Sequence, residues 1–121
     1  MWSFSSIGRL AMESAYPFLQ AKRLILKLGS QILVDELGRL AIDRLAAYVG
    51  QCARCVRDGR QVVVVSSGAI GLGKNALGLS GALDSPQKRA CAAVGQSLLM
   101  DSYRTLFRHF GLEVAQVLVN S

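Results

Sequence analysis

Four consecutive valines, Val62–Val65, run into Ser66, Ser67 and Gly68. An apolar β-branched strand that turns through a glycine into a helix start is an arrangement suited to holding an anion. The opening N–H groups of a helix have no partner within it, and the helix dipole adds positive potential at the same place. The stretch Gln61–Asn75, QVVVVSSGAIGLGKN, also carries Gly68, Gly73 and Lys74 in the G-x-x-x-x-G-K spacing of the phosphate-binding loop of NTPases. Asn75 stands where that loop needs a Ser or Thr hydroxyl for magnesium. Ala69, Ile70 and Leu72 have the character of a helix packed on a sheet, not of a loop wrapped on phosphates. The nucleotide-loop reading is thus the less favoured alternative, and Gly71 and Gly73 are expected to serve close helix–sheet packing.

Lys27 is the second candidate. It lies near the end of the apolar run Leu24–Leu28, which Gly29 closes, and a buried ammonium without a partner is costly. Either it snorkels to solvent at the strand end or it serves a ligand at the sheet edge. Cys52 and Cys55 have C-x-x-C spacing, but both fall deep in a helical pattern and no second cysteine or histidine pair completes a metal set. With Cys91 they read as small buried hydrophobes, and the odd count suits a reducing compartment. His109 falls in a last helical turn, where the dipole favours it without any catalytic role. Gln96 stands out mid-helix; a polar contact under a neighbouring loop would account for it.

These residues need elements to hold them. Lys22–Leu28, KRLILKL, reads as a buried strand, and Val62–Val65 as a strand buried on both faces of a sheet. Between them Ile42, Leu45, Val49, Cys52 and Val56 recur at three and four residues, a helix face, and Gly59 stops that helix. Strand, helix, strand is a βαβ unit with parallel strands and a right-handed crossover. Lys27 and Ser67 therefore come to the same sheet edge. Asp84 or Ser85 caps a further long helix with Pro86 at its first position; Ala92, Gly95, Leu99, Tyr103, Leu106 and Phe110 form its face, and Gly111 ends it. Glu113–Val119, EVAQVLV, reads as a third strand.

With 121 residues, 51% hydrophobic, the chain has material for one core. The net charge of +6 is scattered, and Arg54, Arg57 and Arg60 with Asp58 among them read as a solvated helix face, so nucleic acid is not an expected partner. No apolar run is long enough to cross a membrane. Residues 1–21, Ser-rich and with no acid before Glu13, read either as an N-terminal extension that becomes helical near Ala11–Gln20 or as an organelle-targeting segment. The expected location is cytoplasmic in the first case and mitochondrial or plastid in the second.

LILKLGS at Leu24–Ser30, VVVVSSGAIGLGK at Val62–Lys74 and ACAAVGQSLLMDSY at Ala90–Tyr103, in one colinear register, resemble the glutamate 5-kinases of the amino-acid kinase family. GRLAIDRL at Gly38–Leu45 and AQVLVN at Ala115–Asn120 look most like the kinase half of delta-1-pyrroline-5-carboxylate synthase. The resemblance implies the N-terminal part of an α/β, three-layer αβα sandwich with a mainly parallel sheet, over residues 22–121. It implies phosphorylation of the glutamate side-chain carboxylate by ATP with Mg2+, giving an acyl phosphate, the first step of proline biosynthesis. Lys27 matches the lysine that stabilises the transferring phosphoryl group, with Gly29 and Ser30 as the adjoining nucleotide-side loop, and Ser67, Gly68 and Ala69 match the glutamate-binding turn.

The family's members continue into an Asp- and Asn-rich segment, a catalytic aspartate and a nucleotide-binding lobe, and none of these follows before Ser121. The chain alone is expected to lack an ATP site and activity. The alternative is a non-catalytic remnant that binds an amino acid or a partner subunit. An exposed third strand would be prone to pairing with another chain, which leaves a homo-oligomer open.

Overall fold

β1 (Arg23–Leu28) and β2 (Gln61–Ser66) pair in parallel, with Ile25 opposite Val63, Lys27 opposite Val65 and Leu28 opposite Ser66. The computed structural model of the chain describes residues 20–118; the extension or targeting segment, apart from its last two residues, and residues 119–121 lie outside them. Between the strands run α1 (Ser30–Leu33), a short turn in which Asp35 Oδ1 accepts from the Leu37 and Arg39 N–H groups, and α2 (Ile42–Arg57). The βαβ unit expected from the sequence is present. β2 then leads through Ser67 and Gly68 into α3 (Ala69–Ala76), followed by α4 (Ser85–Arg108).

The core lies on one face of the sheet. Leu28 with Leu45, Val49 and Cys52 of α2, Leu72 of α3, and Leu99, Tyr103 and Phe107 of α4 form it, with Leu26, Val62 and Val64 packed against it. The other face is open. Ile25 is 75% exposed and Val63 57% exposed, and Val65 and Lys27 share their side. The expectation of a valine strand buried on both faces is corrected here: an apolar run does not say how many layers cover it, and among the described residues only one layer of helices does.

α4 begins with a capping box that the sequence reading had only half: Asp84 Oδ1 accepts from the Gln87 N–H at 2.8 Å, and Gln87 Oε1 accepts from the Asp84 N–H at 3.0 Å. Asp84 is the cap, which makes Pro86 the second helical residue. The buried stripe of α4 is Cys91, Gly95, Leu99, Tyr103 and Phe107.

No strand forms at Glu113–Val119 over its described part. A valine-rich run makes a strand only where a ladder partner is offered. Here Leu112 and Val114 pack on the core, Glu113 stands 3.7 Å from Arg108, and Val117 is 82% exposed. Residues 112–118 carry no regular secondary structure.

Gly73 and Gly71 are the second correction. A Cβ on Gly73 would overlap the Cys91 backbone, and one on Gly95 would overlap the Ala69 carbonyl. The glycines thus let α3 lie directly on α4, a helix–helix contact and not the helix–sheet contact expected. A Cβ on Gly71 would meet nothing within 4 Å.

Candidate functional site

The turn between β2 and α3 sits at the carboxyl edge of the sheet, where ligands of open α/β folds bind. The parallel ladder carries one step past β2, because the Ser67 N–H donates to the Leu28 carbonyl at 3.0 Å. Gly68 then takes φ 99° and ψ 0° and caps α3 without a side chain. This is left-handed backbone, which glycine adopts without strain. A Cβ there would stand 3.4 Å from Val34 Cγ2 and 3.5 Å from the Ser30 Cα. The loop after β1 and the turn after β2 are therefore in contact through Gly68 and Ser30.

The first bond of α3 runs from the Leu72 N–H to the Gly68 carbonyl. The N–H groups of Ala69, Ile70 and Gly71 precede it and have no acceptor within the helix. Ser67 is exposed, and Gly68 and Ala69 are half-buried, so a small anion can reach this end of α3. Lys27 is exposed and lies one residue short of the same edge. It was expected in a buried strand; the open sheet face relieves that constraint, and its ammonium needs no protein partner. Gly29 is extended at φ −82°, and a Cβ there would meet nothing within 4 Å. Lys27 near the end of β1, Gly29 and Ser30 just after it, and Ser67, Gly68 and Ala69 just after β2 thus lie toward one edge of the sheet.

The structure disposes of the nucleotide-loop alternative. Gly73 is buried inside α3, Lys74 Nζ donates to the Gly81 carbonyl at 2.6 Å, and Asn75 Nδ2 donates to the Leu37 carbonyl at 2.9 Å. Lys74 and Asn75 tie down flanking loops. No group of three or more His, Cys, Asp and Glu that could hold a metal ion occurs among the described residues. Cys52 and Cys91 are buried and Cys55 half-buried, all three as free thiols. Burial, with Cys55 alongside, pushes the Cys52 thiol up to about 11, which keeps it protonated and inert at neutral pH.

Two features were missed. Tyr103, read only as part of a helix face, donates its hydroxyl to Ser66 Oγ at 2.9 Å. A tyrosine in a buried stripe calls for a partner for its hydroxyl, and that signal was available. A cleft of about 600 Å3 opens beside Ala69 along α4, with Gln96, Met100, Arg104, Gln116 and Leu118 in its walls. Gln96 faces this cleft, in place of the loop contact expected.

Residues 22–121 match the model of the amino acid kinase family. The glutamate 5-kinase of Moorella thermoacetica is 46% identical over 101 residues, which are 83% of this chain and 27% of that protein. That of Thermus thermophilus is 46% identical over 106 residues, 87% of this chain and 28% of that protein. That of Caulobacter vibrioides is 44% identical over 104 residues, 84% and 28%. The chain spans just over a quarter of the length of these relatives. By the extent of the family match and these identities, the chain belongs to the amino acid kinase family.

Proposed function

We propose that this chain carries the glutamate-binding half of an enzyme that phosphorylates the side-chain carboxylate of L-glutamate, the γ-carboxylate oxygen displacing ADP from the terminal phosphorus of ATP. The observation that carries the reading is the contact of Gly68 with Ser30 and Val34, which joins an anion-seeking helix start to the loop that follows Lys27. The N–H groups at the start of α3 receive a carboxylate, with the Ser67 hydroxyl beside them. Lys27, from the adjacent strand, stabilises negative charge on the group in transfer. Such catalysis is positioning and charge stabilisation, and requires no covalent step from the protein.

Bound ATP supplies the transferable phosphoryl group. The Lys27 ammonium, the open backbone at Gly29 and the Ser30 hydroxyl fit phosphoryl oxygens. The described residues offer no ligand set for Mg2+, so no step is assigned to the ion. The acyl phosphate of glutamate formed in this way would be the first step of proline biosynthesis, which the resemblance to the glutamate 5-kinases implies.

Calorimetric titration of L-glutamate into the chain tests the reading. Saturable binding is expected, weakened about tenfold by Ser67→Ala, the size of one hydrogen bond to a charged group. A flat titration, or L-aspartate binding as well as L-glutamate, would remove glutamate as the substrate of this turn.

A further inference from the structure

We propose that Tyr103 is a positioning residue for the Ser67–Ala69 turn, holding it from the far side through Ser66; this rests on the reading that the turn receives glutamate. Four consecutive residues at the end of β2 and the start of α3 are each restrained by a different group. Tyr103 donates to Ser66 Oγ at 2.9 Å, Leu28 accepts from the Ser67 N–H at 3.0 Å, Ser30 and Val34 bound the space where a Cβ on Gly68 would stand, and Gly95 lies against the Ala69 carbonyl. Tyr103 and Gly95 both belong to the buried stripe of α4, eight residues and about 12 Å apart along the helix. One helix thus grips the turn at both ends.

The Tyr103 bond is the only one of the four that a side chain donates. Tyr103 is 6% exposed, with its ring stacked on Phe107 at 6.4 Å between centroids. Packing alone would be met by phenylalanine; the hydroxyl is what reaches the strand end. Burial pushes the phenol above its ordinary range, so it remains a donor at neutral pH. A set of helix-start dipoles acts on an anion without reorganising only if its backbone is held beforehand, and small displacements are costly. Tyr103 supplies that restraint to the residue next to Ser67, while itself touching no ligand.

The test uses Tyr103→Phe, Ser66→Ala and the double variant, with two readouts on the chain. In each single variant the Kd for L-glutamate should rise about 3- to 10-fold, the size of one net hydrogen bond. Amide exchange at Ser67–Gly71 should quicken by a similar factor. The double variant should match the singles, because both remove one bond. A Tyr103→Phe protein with a lowered Tm but unchanged Kd and unchanged exchange at Ser67–Gly71 would overturn the proposal. If the unaltered chain does not bind glutamate, the substrate reading fails separately, and the exchange rates alone decide whether Tyr103 holds the turn: faster exchange in both variants supports it, and unchanged exchange sinks it.

Discussion

The α-carbon of Gly95 faces the Ala69 carbonyl so closely that a Cβ at position 95 would overlap that oxygen and stand 2.9 Å from the Gly73 nitrogen. The first residue of α3 is thereby seated on the backbone of the long helix α4. The obstacle is backbone on both sides, so no rotamer change relieves it.

Gly95→Ala should therefore destabilise the fold by roughly 3 kcal/mol or more, as overpacking against a rigid neighbour does. Gly71→Ala, one turn into α3 with open space around it, should instead stabilise by about 0.5–1 kcal/mol through helix propensity and a less flexible unfolded chain. Urea denaturation of the two variants checks the contrast. Equal effects of the same sign would mean that α3 does not lie on α4 as described.

The two lysines that sequence patterns bring forward should separate cleanly. Lys74 is committed to the Gly81 carbonyl, so Lys74→Met should leave glutamate affinity unchanged to within about twofold, a surface-sized effect. Lys27→Met, made in a chain continued to the length of the relatives, should lower kcat by about 10²–10³ with little change in KM for glutamate, as loss of one transition-state donor does. Initial rates of acyl-phosphate formation would show it. The reverse pattern would reinstate the nucleotide-loop reading.

Stability should fall at alkaline pH. The folded Cys52 thiol titrates near 11 against 9.0 for an ordinary thiol, so burial favours its protonated form. Its stabilising contribution is complete below pH 9 and is lost as pH rises through about 11, a total of about 2–3 kcal/mol. The Tyr103 phenol, also raised by burial, adds to the loss above pH 10. Denaturant titrations at pH 8 and pH 11 under reducing conditions should show the drop, and Cys52→Ala should make it smaller. A pH-independent midpoint across that range would contradict the burial of both groups.

Much of the site could be read before any coordinates. Val62–Val65 followed by Ser66, Ser67 and Gly68 announces a strand, a turn and a helix start, because β-branched residues, a glycine free to take positive φ and a helix's opening N–H groups each have a local physical meaning. The crossover rule then brings Lys27 to the same sheet edge as Ser67 with no knowledge of side-chain contacts, while the pairing of Lys27 with Val65 belongs to the folded ladder. Asp84 before Ser85 and Pro86 likewise marks the start of α4 from local chemistry. The apolar C-terminal run at Glu113–Val119 misleads for the complementary reason: a strand is a property of two segments, and the sequence of one says nothing about whether a ladder edge is free to receive it.

What the sequence by itself determined is the parallel βαβ unit, the turn and helix start that follow its second strand, and the long helix after Asp84, since all three follow from periodicity, turn chemistry and chirality along a single stretch of chain. Only the tertiary structure decided which sheet face is covered, that Gly73 and Gly95 serve a helix pair, and that Tyr103 reaches Ser66 across 37 positions of sequence. Those depend on the distance and angle between elements far apart in the chain, which close packing sets collectively and which no local pattern records.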